Sequence, residues 1–224
     1  MLVSALKYPR KSHRKLITLP DESRELAELM GIVFGDGGIN NPWQLVISLN
    51  SIKDMVYSKY ATNLLIKLFN IEVVARKRPN ENTLLLVCSS TSLVDFLVIK
   101  GAVRGNKIAQ NIDIPPWIIK KPEFRKAFVR GLVDTDGCLY LHKHIVKGKK
   151  LVNIGFCFTS FSDKLIFSVA NILSEFAIKP HITDGNRRIY LYGELNVLKY
   201  LNTFGSSNPR IYQKHTDWRD ARAV

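Results

Sequence analysis

Acidic side chains are scarce in this chain. Only 19 Asp and Glu stand against 33 Lys and Arg in 224 residues, a formal net charge of +14. An excess of that size points to a polyanionic partner, with nucleic acid ahead of a membrane surface. Long apolar runs are missing as well. No stretch approaches the roughly 20 residues needed to cross a bilayer. The N-terminus, with Lys7, Arg10, Lys11, Arg14 and Lys15, lacks the apolar segment of a signal peptide. No membrane partner is therefore expected. Cysteine is limited to Cys88, Cys138 and Cys157, an odd number in apolar, strand-like stretches without zinc-ligand spacing. They are expected to be buried, reduced thiols of an intracellular protein, in the cytoplasm or nucleoid of a prokaryote or in an organelle. Hydrophobic residues still make up 46% of the chain, enough for a sizeable core. That content excludes extensive disorder.

What is present is a duplication. Met30-Gly31-Ile32-Val33-Phe34-Gly35-Asp36-Gly37 aligns with Arg130-Gly131-Leu132-Val133-Asp134-Thr135-Asp136-Gly137 at an offset of 100 residues, read directly from the numbering. Each stretch ends a segment of helical periodicity and finishes on Asp-Gly. Ser23 is placed to cap the first helix, whose Leu26, Leu29, Met30 and Val33 recur at helical spacing. Asp36-Gly37-Gly38 is expected to stop it through left-handed glycine. Period-two segments follow, then a helix introduced by Ser51-Ile52-Lys53-Asp54, read as a capping box. Two more strands and a short helix complete the half. Residues 100–122, with Gly101, Gly105, Pro115, Pro116 and Pro122, read as a hinge. The same order then repeats, with a turn at Asp184-Gly185-Asn186 and a last helix near Leu195–Asn202. The expected class is α+β, in two pseudo-symmetric αββαββα halves. They are 1–110, carrying a basic arm over 1–20, and 111–224. A period this long suits a pseudo-two-fold monomer and not a solenoid.

Glycine inside a helix costs about 1 kcal/mol relative to alanine. Small residues one turn apart offset that cost when they let two helices touch backbone to backbone. Gly31 and Gly35 in one helix, matched by Gly131 and Thr135 in the other, predict two motif helices packed at the centre of the molecule. Asp36 and Asp136 then meet near the pseudo-two-fold axis. Two carboxylates so placed repel, and one would normally protonate. Divalent cations between them and a phosphate would keep both ionised, and Mg²⁺ suits such an oxygen site.

The repeated motif resembles that of the LAGLIDADG homing endonucleases, in the single-chain form with two motifs. The resemblance covers roughly residues 23–215. It implies a site-specific DNA double-strand endonuclease encoded within an intron or intein, using Mg²⁺ held by the last aspartate of each motif, Asp36 and Asp136. It also implies metal ligation by the carbonyls of Gly35 and Thr135. Polar residues at the end of the second strand of each half, Asn50 and Ser160, correspond to positions that hold water near the metals; both are shorter than the glutamine common in the family. Lys107 and Lys214 correspond to the basic residues that stabilise the scissile phosphate. No protein-splicing segments are seen at the ends, which favours an intron-encoded origin. The alternative is a non-cleaving protein on the same fold, either an RNA maturase with intron RNA as its partner or a DNA-binding regulator.

On this reading the antiparallel sheets form a DNA-binding saddle, since a β-ribbon fits the major groove. Alternation puts Tyr140, His142 and His144 on one face of their strand, and Arg76 and Arg78 on one face of theirs. Asn41, Trp43, Gln44, Arg187, Arg188 and Tyr190 are further candidates for base or backbone contact. Lys147, Lys149 and Lys150 suit phosphate. His142 and His144 lack a third metal ligand and are assigned to DNA or surface. Asp134-Thr135-Asp136-Gly137 begins like a calcium loop, but Leu139 stands where that loop needs glycine.

Overall fold

The computed structural model describes residues 15–183 and 185–222, without the side chains of Lys150 and Arg222. Residues 1–14 of the expected basic arm, and Asp184 of the expected turn, lie outside the described residues. The first run of elements is α1 (Arg24–Phe34), β1 (Gly37–Asn41), β2 (Gln44–Asn50), α2 (Met55–Phe69), β3 (Val74–Lys77), β4 (Thr83–Ser89) and α3 (Thr91–Ile99). A short α4 (Pro116–Ile119) lies in the connecting stretch. The second run is α5 (Pro122–Asp136), β5 (Gly137–Val146), β6 (Lys149–Thr159), α6 (Asp163–Glu175), β7 (His181–Thr183), β8 (Arg188–Tyr192), α7 (Glu194–Thr203) and α8 (Pro209–Arg222). Two four-stranded sheets result, ordered β1-β2-β4-β3 and β5-β6-β8-β7, with every pairing antiparallel.

The motif helices form the centre. The Ser23 hydroxyl accepts from the Leu26 N–H at 3.2 Å and starts α1. Every residue of α1 from Leu26 to Phe34 is buried. Pro122 opens α5, where a missing N–H costs nothing. The two helices touch at their glycines. A Cβ on Gly31 would stand 2.1 Å from the Phe128 carbonyl oxygen, and one on Gly131 2.2 Å from that of Glu28. Phe34 and Phe128 close one side of the contact with rings 5.3 Å apart, edge to face. Each sheet packs one face against helices. β2 buries Leu45, Ile47 and Leu49, and β6 buries Ile154, Phe156 and Phe158. The alternate residues form the opposite face.

Several local expectations are corrected. Gly37 and Gly137 are not left-handed: neither has positive φ, and Gly137 is extended (φ −104°, ψ 163°). The chain passes straight from helix to strand. Glycine is needed there for space, because a Cβ on Gly37 would fall 2.5 Å from Val33 Cα. The capping box at Ser51 does not form. Asn50 Oδ1 accepts from the Ile52 and Lys53 N–H groups at 3.0 and 2.9 Å, and Asp54 Oδ2 accepts from the Asn50 N–H at 3.3 Å. An Asn side chain reaches the backbone two residues on more readily than Ser does. Of the cysteines, only Cys88 is buried; Cys138 is exposed and Cys157 half-buried, facing each other across β5 and β6 on the open face. Helix α8 was not expected, although Asn208-Pro209 is a helix-start signature. Asn208 Oδ1 accepts from the Arg210 N–H at 3.1 Å.

Candidate nuclease centre and nucleic-acid face

Asp36 follows the last turn of α1, Asp136 ends α5, and a strand begins immediately after each. The close helix contact brings these ends together. A Cβ on Gly35 would lie 3.2 Å from Asp136 Oδ2 and 2.0 Å from Thr135 Oγ1. Only a glycine at 35 leaves room for the opposing carboxylate. Burial pushes the Asp36 carboxyl up to about 7, and the charges of Asp136 and Asp54 add to the shift. Burial likewise pushes Asp136 up to about 6, opposed by Lys107. The pair is thus a desolvated, mutually repelling set of oxygen donors.

Lys107 comes from the connecting stretch. Its ammonium donates to the carbonyl oxygens of Val33 at 3.2 Å and Phe34 at 2.8 Å, and to that of Gly35. It therefore caps α1, where the helix dipole favours a cation. Burial lowers its pKa, while Asp136 and Asp36 act to raise it. Phe34, Gly35, Lys107, Asp136, Thr159 and Ser160 line a cavity of about 250 Å³. Ser160 Oγ accepts from the Ser162 N–H at 3.2 Å. Asn50 has its Oδ1 committed to the turn before α2, leaving only its Nδ2 end to offer.

At the end of α5 the corresponding basic residue is Arg210, not Lys214. Arg210 NH2 lies 3.5 Å from the Asp134 carbonyl oxygen and Nε 3.5 Å from Asp54 Oδ1, and its charge acts on Asp36. Lys214 is half-exposed, one turn further along α8. Arg210, Asp54 and Asn208 were not found from sequence. Asn208 Nδ2 donates to Asp54 Oδ1 at 2.9 Å and to the Asp134 carbonyl at 3.0 Å, tying the start of α8 to the first half. Behind it, Ser207 donates through Oγ to Glu28 Oε1 at 2.6 Å and through its N–H to Asp134 Oδ2 at 2.7 Å. Glu28 pairs with Arg130. Asp134 is pushed up to about 7 by burial, against the pull of its Ser206 and Ser207 hydrogen bonds.

Among the described residues, no group of three or more His, Cys, Asp or Glu could hold a metal. The donors at the seam are two carboxylates and backbone carbonyls. Such a sparse, hard-oxygen set suits a cation that keeps waters and takes further oxygens from a phosphate. The residues present therefore fit Mg²⁺.

The open faces of the sheets lie to either side. In the first sheet, register aligns Ser48, Leu85 and Arg76 across three strands. Gln44 reaches Ser89 Oγ at 3.4 Å. Trp43 is 54% exposed in the turn after Asn41. Arg78 pairs with Glu81 at 3.5 Å. The second sheet is aromatic. Tyr140 lies over Gly155, where a Cβ would fall 2.4 Å from its ring. Tyr140 meets Tyr190 edge to face at 6.2 Å, and Tyr190 stacks on Tyr192 at 5.6 Å. His142 and His144 stack at 5.1 Å. Arg188 reaches Tyr190 Oη at 3.5 Å, and Arg187 lies over the Phe161 ring at 5.2 Å. Lys147 and Lys149 are exposed at the β5–β6 turn. Tyr192 and His181 join this face although sequence reading did not single them out; the alternation past Tyr190 was the signal for Tyr192.

Comparison with known proteins agrees with this architecture. Residues 123–216 match the family described as LAGLIDADG-like domain. A curated relative, an A-type ATP synthase polypeptide of Pyrococcus abyssi (strain GE5 / Orsay), is 34% identical over 125 residues. That match covers 55% of this chain and 12% of the relative, so the chain spans only a small part of that protein's length. Among solved structures, I-DmoI in complex with DNA and Mn aligns with TM-score 0.52 at 17% identity, covering 82% of this chain and 97% of that one. The I-LtrWI LAGLIDADG homing endonuclease bound to target DNA gives 0.56 at 13% identity, covering 88% and 89%. The N-terminal LAGLIDADG domain of WhiA gives 0.55 at 18%, covering 90% and 94%. At these identities the likeness is one of fold.

Proposed function

We propose, from the premise that this chain carries the LAGLIDADG fold with residues 123–216 a LAGLIDADG-like domain, that it is a site-specific DNA endonuclease of the homing type. It would cut both strands of a long duplex target, act as a monomer and be intron-encoded, its halves 1–110 and 111–224 descending from one duplicated unit. The observation that carries this reading is the meeting of the Asp36 and Asp136 ends at a glycine seam, each at the root of an open-faced sheet. Asp36, Asp136 and the carbonyls of Gly35 and Thr135 would hold Mg²⁺. The ion would supply Lewis-acid stabilisation of charge on the attacking and leaving oxygens of a phosphodiester. Lys107 and Arg210 flank the seam and would neutralise a phosphate held there. Ser160, on the cavity wall, would hold a water. The sheet faces described above would read base edges, and the lysines of the β5–β6 turn would take phosphate.

The second reading is a binder that does not cut. Its support is that Lys107 already occupies the Gly35 carbonyl, one of the oxygens assigned to the metal. The test is incubation with Mg²⁺ and a duplex library containing the chain's own insertion site. Double-strand products with defined ends support the enzyme. Retention of duplex, or stimulated RNA splicing, without any cut supports the binder.

A further inference from the structure

The two sheets are unequal in one respect. β5 and β6 pair over ten positions, from Gly137 with Phe158 to Val146 with Lys149. β8 supports only Gly155–Thr159 of β6. The pairs from Leu141–Ile154 to Val146–Lys149 therefore form a two-stranded arm beyond the sheet. In the first half, β2 is paired with β4 along its whole length from Gln44 to Asn50, and β1 ends at the turn after Asn41. No such arm exists there.

The arm is supported from behind. Helix α8 packs on β5 and β6, with Trp218 only 3% exposed and its Nε1 donating to the Val152 carbonyl at 3.0 Å. The other face is left open. By register it carries His142 opposite Asn153, His144 opposite Leu151 and Val146 opposite Lys149. No Asp or Glu occurs between Asp136 and Asp163, whereas Lys143, Lys147, Lys149 and Lys150 do. Val146 and Leu151 remain 46% and 42% exposed. An isolated two-stranded ribbon is marginal in water, and this one is braced, uniformly basic and open on one side.

We propose that this arm lies in a DNA groove outside the reach of the first sheet, so that the target is gripped asymmetrically. β5 starts at Asp136 and runs away from the seam, so the added contacts lie outward from the cleavage point. Six further pairs extend about 20 Å at roughly 3.4 Å per residue. That is about six base pairs at roughly 3.4 Å each. His142 and Asn153 supply hydrogen bonds to base edges, Val146 and Leu151 suit thymine methyl groups, and the lysines take phosphate. The inference rests on the DNA-binding part of the reading above, not on cleavage.

The test uses the full chain carrying Asp36→Asn and duplexes selected by it from a random 40-base-pair library. Hydroxyl-radical footprinting should show protection reaching about six base pairs further on one side of the centre. Adding His142→Ala and Asn153→Ala leaves the turn and the Trp218 contact in place. It should shorten only the long side and weaken binding roughly tenfold. On a duplex with those outer positions replaced, the same pair of substitutions should change affinity little. A symmetric footprint on duplexes that the unmodified chain cuts overturns the arm alone, as does an equal loss on both duplexes. Failure to select any duplex overturns the DNA reading and the arm with it.

Discussion

The Lys107 ammonium donates to the Phe34 carbonyl oxygen at 2.8 Å, across a sequence separation of 73 residues. A residue from the connecting stretch thereby caps the first motif helix and brings a positive charge to both aspartates. Replacement by Met removes the cap and the charge together. Asp136 and Asp36 should then hold protons to higher pH. The variant should lose most DNA cleavage while binding Mn²⁺ more tightly at pH 8, because the ammonium no longer competes for the Gly35 carbonyl. Mn²⁺ titration by electron paramagnetic resonance reads this directly. Weaker Mn²⁺ binding in Lys107→Met would contradict the competition.

The raised acids give the metal-free protein an unusual pH response. Asp36 and Asp134 are pushed up to about 7 and Asp136 to about 6. Unfolded aspartate titrates near 3.9. Between about pH 4 and 7 the native state therefore holds more protons than the unfolded state, and stability falls as pH rises through that window. Without metal, the melting temperature should drop from pH 5 to pH 8. Mg²⁺ should raise it more at pH 8 than at pH 5, by binding the ionised native form. Asp36→Asn should flatten part of the drop. A melting temperature that climbs from pH 5 to pH 8 would argue against these assignments.

The glycine seam is testable by volume alone. Gly31→Ala places a methyl 2.1 Å from the Phe128 carbonyl oxygen, which belongs to rigid backbone. Helix propensity favours alanine by about 1 kcal/mol, but forcing the helices apart costs more. The net loss should be about 2 kcal/mol or greater. Gly38→Ala meets nothing within 4 Å and should change stability by less than about 0.5 kcal/mol. Urea unfolding of both variants separates a packing seam from a general intolerance of substitution.

Much of this was legible in the chain because its signals were repeated. The offset of 100 residues fixed the equivalence of Asp36 and Asp136, and small residues one turn apart fixed the helix contact. Period-two alternation assigned the open faces, as the stacked His142 and His144 bear out. What escaped was local or tertiary. Asn50 took the turn that Ser51 was expected to make, a competition between two short polar side chains. Gly37 serves packing and not a left-handed turn, a distinction that needs the position of Val33. Arg210 escaped because its importance comes from Asn208 tying α8 to Asp54, across 154 residues.

Binding should be strongly electrostatic. Lys147 and Lys149 are exposed at the arm's turn. If each meets a phosphate, replacing both with Ala should reduce the slope of log affinity against log salt by roughly 2. An unchanged slope would place these lysines off the DNA.

The central claim is that one aspartate serves each strand at a shared seam. The most direct measurement follows strand-specific cleavage of a selected, doubly end-labelled duplex by Asp36→Asn and Asp136→Asn in Mg²⁺. Each variant should still bind the duplex and should lose double-strand cutting. Undiminished double-strand cutting by either variant would contradict the account.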